Sequence, residues 1–332
     1  MKQAFRVAVI GCGAICGNHI QGLLSAEQQI CALCDVDLSQ CERIMEKYGL
    51  PDLPVYTDYL QLLDAERPDA VHICTPHYLH AEMTVAALER GIHVLCEKPM
   101  AISHEQLDRV LAAAKRSTAQ LGVCMQNRYE PTILRAKELA QSEGIRAAYG
   151  DVVWKRDADY YASGDWRGTW REEGGGVMIN QALHTLDLLQ WICGMPERVV
   201  AHIANDHLPG VIEVEDTAVA HFSCPNGSSF HFFATTACGA TFPAHLRFYL
   251  NSKKKLHAEA SQLILDGEVL FSKSSGDAHG KAVWGAGHTL LISDFYRCIG
   301  EGIPFPIHGE EAAKVIRLIL AMYGSNGAPI SL

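Results

Sequence analysis

Phe5-Arg6-Val7-Ala8-Val9-Ile10-Gly11-Cys12-Gly13-Ala14-Ile15-Cys16 decides the fold. A short β-rich apolar run ends in a glycine turn, and a helical pattern follows from about Asn18 to Ser25. Gly11 allows a tight turn, and Gly13 lets a ligand come close to the backbone. The helix start at Ala14 and Ile15 offers free N–H groups and a positive dipole end, which suit a pyrophosphate. Cys16, a small residue, stands where a third glycine is usual. Asp35 ends the next strand, 24 residues beyond Gly11, where its carboxylate would accept from ribose hydroxyls and repel a 2′-phosphate. Val36 and Asp37 follow with no adjacent Arg, so the pattern predicts a dinucleotide site that takes NAD over NADP.

Outward from this turn, strand and helix alternate. Ile30 to Cys34, Val71 to Cys74, Ile92 to Cys96 and Leu121 to Met125 read as strands, with helical stripes between them. Ser103 followed by Gln106 is a capping box. Such alternation predicts α/β architecture with a doubly wound parallel sheet. From about Arg146 to Asp266 the runs are mostly strand-like and sequential, which predicts an α+β domain with an open, mainly antiparallel sheet. One helix interrupts them, from about Val177 to Ile192, and two more follow, at about Thr289 to Cys298 and Glu310 to Tyr323. The boundary is expected near Gln126 to Pro131, giving domains 1–125 and 126–332.

With 332 residues, 48% hydrophobic and 20% charged, the chain can bury ample apolar surface without metal or disulfide staples. Its net charge of −10 and lack of a basic tract argue against nucleic acid as partner. Lys253-Lys254-Lys255 reads as a solvated hairpin tip. No run approaches the ~18 apolar residues of a membrane helix. Twelve cysteines, several within apolar runs, read as free thiols of a cytoplasmic protein, and the Cys31–Cys34 pair as core. Sixteen histidines show no HExxH or similar set, so no metal site is expected.

Two segments carry candidate chemistry. Glu97-Lys98-Pro99 closes a strand at the carboxyl edge, where ligands bind in open α/β sheets. An ammonium there can stabilise a developing alkoxide, although a surface ion pair of Lys98 with Glu97 is the plainer account of the two residues alone. Gly174-Gly175-Gly176 precedes the second segment, on which Asn180, His184 and Asp187 share one stripe. A polar stripe on an apolar helix needs partners or a ligand, and His184 is suited to proton transfer near neutral pH. The alternative is a core His satisfied by Asp187. His77 and His80 follow Thr75-Pro76 at another strand end, where they would line the cleft or cap the next helix. Tyr160, Arg167, Trp166 and Trp170 lie in a loop suited to a sugar, an anion or a subunit contact.

Together these residues resemble the Gfo/Idh/MocA oxidoreductase family, over nearly the whole chain. The resemblance rests on Gly11 to Ile15 with His19, Thr75-Pro76 with His80, Glu97-Lys98-Pro99, Asn127-Arg128-Tyr129, Gly175-Gly176 with His184 and Asp187, and Ser325-Asn326-Gly327. It implies a Rossmann domain, an open-faced sheet domain, and assembly as a homodimer or homotetramer through that sheet. It implies hydride transfer between NAD and a hydroxyl-bearing carbon of a sugar, sugar derivative or polyol. Lys98 and His184 would be catalytic. Gly11, Gly13, Ala14, Ile15, Asp35, Thr75, Pro76, His80, Glu97, Lys98 and Asn127 would hold the cofactor. Asn180, Asp187, Arg167, Tyr160 and His288 would bind substrate. Many members have Asp where this chain has Asn180, which cannot accept a proton and would only orient substrate or His184. Asn180-Gln181 after three glycines is similar to sugar 3-dehydrogenases acting on nucleotide sugars, so a pyranose 3-hydroxyl is expected. Two alternatives remain: a redox-neutral glycosidase working by transient oxidation and elimination, and a sensor without chemistry. Retention of Lys98 and His184 speaks against the sensor.

Overall fold

The computed structural model describes residues 4–272 and 287–332. The chain divides into two compact units, Met1–Gln126 with Ala286–Ala313, and Asn127–Gly285 with Lys314–Leu332.

The first unit begins with β1 (Arg6–Ile10), α1 (Cys16–Ser25), β2 (Gln29–Cys34), α2 (Leu38–Tyr48), β3 (Val55–Tyr56) and α3 (Tyr59–Glu66). It continues with β4 (Ala70–Ile73), α4 (His77–Glu89), β5 (His93–Cys96), α5 (His104–Arg116) and β6 (Leu121–Val123). Among the described residues these strands form one parallel sheet in the order β3-β2-β1-β4-β5-β6. Helices lie on both faces, so β1 and β4 are almost wholly buried and carry apolar side chains in succession. Helix ends follow local chemistry. Asp37 caps α2 by accepting from the Ser39 N–H, and Gly49 ends it at φ +61°. Ser103 caps α5 by accepting from the Gln106 N–H, while the Gln106 side chain accepts from the N–H of Ile102 rather than that of Ser103.

The second unit comprises α6 (Pro131–Glu143), β7 (Ile145–Val153), α7 (Ala158–Tyr161), α8 (Leu183–Cys193), β8 (Arg198–Ala204), β9 (Thr217–Ser223) and β10 (Ser229–Thr235). β11 (His245–Leu250), β12 (Lys255–Ala258), β13 (Gln262–Leu265) and β14 (Glu268–Ser272) follow. In chain order α9 (Gly287–Glu301), a helix of the first unit, comes next, and α10 (Gly309–Ser325) and β15 (Ile330–Ser331) end the chain. Among the described residues the strands of the second unit form one sheet in the order β14-β13-β12-β11-β7-β10-β9-β8-β15. Among the described pairs of this sheet only β7–β10 is parallel. Strands β8 to β11 alternate buried and open residues, the pattern of a sheet covered on one face.

Two expectations change. α9 belongs to the first unit, not the second, because it packs on α1, where Ile292 presses against Gly22. The helix expected from Val177 begins only at Leu183. Residues 177–182 form an irregular turn in which Ala182 N–H reaches back to the Val177 carbonyl. Asn180 therefore lies in that turn and not on the helix with His184 and Asp187.

Candidate active site

In the first unit, β1, β4 and β5 are neighbours, and their carboxyl ends deliver the glycine turn, Thr75-Pro76 and Glu97-Lys98-Pro99 to one edge. The strand order reverses direction beside β1, which is the switch point where open α/β sheets bind ligands. Gly11 has φ +91°, and a Cβ there would lie 2.7 Å from the Cys74 carbonyl group. A Cβ on Gly13 would meet nothing within 4 Å, so the turn faces open space. Ala14 and Gly13 are exposed, and α1 has no acidic residue in its first turn to compete with an anion. Asp35 Oδ2 accepts from the Cys12 N–H at 2.7 Å and Oδ1 from the Asp37 N–H at 3.0 Å, which fixes the carboxylate beside the turn. The residues present fit a dinucleotide: Gly11 to Ile15 for its pyrophosphate, Asp35 for its ribose. Sequence reading missed Arg43, which α2 carries back to the Cys12 carbonyl at 3.4 Å.

Behind this edge lies a buried hydrogen-bonded chain. His72 Nε2 is 2.8 Å from the Tyr296 hydroxyl, and His72 Nδ1 is 2.8 Å from His19 Nδ1. His19 Nε2 and His288 Nε2 lie 3.0 and 3.2 Å from Glu97 Oε1. Glu97 Oε2 accepts from the Lys98 N–H at 3.1 Å. One assignment satisfies this chain with neutral rings. Tyr296 O–H donates to His72, His72 N–H to His19, and His19 N–H to Glu97. Burial pushes the pKa of His19 and His72 down, which agrees. Burial alone would raise Glu97, but hydrogen bonds from His19 and His288 outweigh it and hold the carboxyl well below its usual range. Lys98, half-buried, follows this anchored carboxylate directly, and its bond to Pro99 is cis.

Three expected ligand contacts are thereby reassigned. Glu97, expected at the cofactor, is buried in its imidazole shell and holds the Lys98 N–H. His288, expected at the substrate, is buried on α9, with Nε2 on Glu97 and Nδ1 3.4 Å from the Asn18 amide. His80 is buried with its ring nitrogens 2.7 Å from the Pro99 carbonyl and 2.8 Å from that of Thr75, so it staples two strand-end loops together.

In the second unit, β7 positions α8: Gly150 leaves room for Thr185 and Leu189 to pack on its backbone. His184 is half-buried in the first turn of α8. Asp187, expected at the substrate, is engaged by a protein partner. Arg128 Nε and Nη2 donate to its two oxygens at 2.8 and 2.6 Å, both side chains are buried, and the guanidinium lies over Trp191. This pair anchors α8. Gly175 and Gly176 are demanded by packing, because a Cβ on either would sit on Tyr323 or on the Glu215 backbone. Glu215 accepts from the N–H groups of Gly176 and Met178 and from the Tyr323 hydroxyl. Burial pushes its carboxyl up to about 7, against those three donors.

Tyr160, Arg167 and Asn180 do come together. The Tyr160 hydroxyl accepts from Arg167 at 2.7 Å, Gln181 at 3.0 Å and Asn180 at 3.2 Å. Arg167 stacks on the rings of Tyr160 and Trp166. The Asn180 amide also donates to Glu173, which is fully buried and which sequence reading missed as one acidic residue of a polar loop. Arg167 Nε and Gln181 Oε1 are buried without hydrogen-bond partners among the described residues. Unpaired buried polar atoms are costly, so this corner holds polar atoms that a polar ligand would satisfy. Asn127 opens the second unit, half-buried in a 3₁₀ turn over Gln126–Tyr129.

Comparison with known proteins agrees with these features. Residues 5–125 match the model described as "Oxidoreductase family, NAD-binding Rossmann fold", and residues 133–254 match the GFO/IDH/MocA C-terminal domain. The chain belongs to the Gfo/Idh/MocA family. It is 31% identical over 199 residues to D-glucoside 3-dehydrogenase of Escherichia coli, an alignment spanning 59% of this chain and 56% of that protein. D-xylose 1-dehydrogenase (NADP(+)) 2 of Haloferax volcanii is 26% identical over 94% of this chain and 95% of its own. The chain thus spans little more than half the length of the first of these relatives. The crystal structure of the WlbA dehydrogenase from Bordetella pertussis with NADH and UDP-GlcNAcA superposes with a TM-score of 0.85 at 26% identity, covering 99% of both chains.

Proposed function

We propose that this chain is an NAD-dependent dehydrogenase acting on a hydroxyl-bearing carbon of a sugar or sugar derivative, the pyranose 3-hydroxyl first. The observation that carries the reading is the anchored Glu97, which spends a buried anion on holding the Lys98 backbone. Such an expense is understandable where the Lys98 side chain must be placed accurately. Lys98 stabilises the alkoxide, and His184 takes the hydroxyl proton. Bound NAD supplies the hydride acceptor. Tyr160 and Arg167 bind the substrate's polar groups, and Asn180, held by Tyr160 and Glu173, orients it without taking part in proton transfer.

The open sheet face supports self-association, because Val219, Phe233 and Tyr249 stand exposed on it. A second copy covers it in this reading, making a homodimer or homotetramer. Twelve free cysteines support a reducing, cytoplasmic location. Among the described residues no helix is long and apolar enough to cross a membrane.

The test is NADH formation from NAD across free sugars, polyols, sugar acids, nucleotide sugars and glycosides, with products assayed for glycoside cleavage. The expected result is net NADH with one substrate class and a ~10²- to 10⁴-fold lower kcat in Lys98→Ala and His184→Ala. Cleavage without net NADH would replace this reading with the redox-neutral glycosidase. Unchanged turnover in Lys98→Ala would refute the assignment.

A further inference from the structure

On the open face of the second sheet, four polar side chains from three strands converge. His245 pairs with Asp151 across β11 and β7. β11 and β12 are antiparallel, with Leu246 opposite Ala258 and Arg247 opposite His257. One step beyond, Glu259 falls opposite His245, and His257 stands two residues away on the same face. Glu259 Oε1 lies 3.5 Å from His245 Nε2 and 3.3 Å from His257 Nε2. The three ligand atoms lie within 4.8 Å of one another.

We infer that His245, His257 and Glu259 form a binding site for one divalent transition-metal ion of the Zn²⁺ class. Tetrahedral zinc with bonds of ~2.0–2.1 Å has ligand atoms roughly 3.3–3.4 Å apart, close to the two spacings found. His257 Nε2 is buried and makes no hydrogen bond, despite its nearness to Glu259. Groups arranged around a shared centre aim at that centre and not at one another, which accounts for a close approach without a hydrogen bond. The opposite nitrogen of His245, Nδ1, is 3.2 Å from Asp151 Oδ2. A carboxylate there fixes the ring and its tautomer and leaves Nε2 free to ligate.

Charge and access agree. Glu259 and Asp151 bring negative charge, and Arg247, the nearby cation, is turned to the Tyr149 hydroxyl. In the single chain the side chains are 18–24% exposed. Imidazole and carboxylate donors select zinc, nickel or cobalt over calcium or magnesium. Three protein ligands leave the fourth position for water. The buried set His19, Glu97 and Cys124 differs, because its histidine and carboxylate are already joined by a hydrogen bond and burial keeps the Cys124 thiol protonated.

The test is titration of the reduced full-length protein with Zn²⁺ by calorimetry and with Co²⁺ by visible absorption. One equivalent per chain is expected, with tetrahedral Co²⁺ bands and no thiolate charge-transfer band. His257→Gln and Glu259→Gln should each weaken Zn²⁺ binding at least a hundredfold, and Asp151→Asn ~10- to 100-fold. Circular dichroism checks that each variant folds. A measurement free of variants is protection by Zn²⁺ of His245 and His257 from diethylpyrocarbonate, read by peptide mass spectrometry. Absence of stoichiometric uptake, a thiolate band, binding unchanged in both His257→Gln and Glu259→Gln, or no protection of these two histidines would each overturn the site.

Discussion

The six-stranded sheet is covered on both faces, and the nine-stranded sheet on one. This difference decides where each unit keeps its polar side chains. In the first, strand interiors are closed to them, so the candidate cofactor groups gather at strand ends, in the glycine turn, at Thr75-Pro76 and at Lys98. His72 is the instructive exception, a buried strand histidine held at both ring nitrogens. In the second, every other residue of a strand is open, and histidines accumulate within the strands at positions 221, 231, 245 and 257. Polar residues need strand ends in one sheet and only the correct parity in the other.

The sharpest way to break this comparison is one substitution made in both sheets. Val9 is 0% exposed in β1 and Val219 is 49% exposed in β9. Val9→Asp should cost more than ~4 kcal/mol and yield little folded protein. Val219→Asp should stay within ~0.5 kcal/mol of the parent in urea unfolding, and should lower the mass seen by light scattering where a second copy covers that face. Equal losses would show that the two faces are not different environments.

Arg128→Ala comes next, since it leaves Asp187 buried without its guanidinium. A loss of ~3–5 kcal/mol is expected by denaturant unfolding, with partial recovery in Arg128→Ala/Asp187→Leu. A loss below 1 kcal/mol would return Asp187 to the ligand groups.

Glu97 and Glu215 sharpen the comparison through pH. Both are buried carboxyls, but Glu97 is held down by imidazoles while burial lifts Glu215 to about 7. A folded-state pKa above the unfolded value stabilises fully below that unfolded value and is lost as pH rises through the folded one. Stability relative to Glu215→Gln should therefore fall from about pH 4.5 to 7, by on the order of 2–3 kcal/mol. Glu97 has the opposite sign: its contribution is present above the unfolded value and lost as pH falls through the folded one. A Tm difference independent of pH between the parent and Glu215→Gln would refute a carboxyl titrating there.

The smallest effect concerns the cofactor. Asp35→Ser removes the carboxylate that repels a 2′-phosphate and leaves Arg43 at the turn. The ratio of kcat/KM for NADP over NAD should rise about tenfold, ~1.4 kcal/mol.

The sequence by itself determined the strand–turn–helix context of Gly11 and Gly13, the acidic residue at Asp35, the alternation that builds a parallel sheet, and the family. These are local signals, carried by glycine stereochemistry, by period and by spacing. It also singled out Tyr160, Arg167 and Asn180, which the fold joins at one hydroxyl. Only the tertiary structure decided the assignments that depend on distant partners. Asp187 had seven residues of helical spacing to recommend it beside Asn180, but its partner Arg128 stands 59 residues away. Glu97 looked like an exposed neighbour of Lys98 until His19 and His288, 78 and 191 residues off, enclosed it. His245, His257 and Glu259 form no linear motif, because antiparallel register, not spacing, sets them side by side. A buried polar group is defined by what satisfies it, and such partners come from wherever the chain returns.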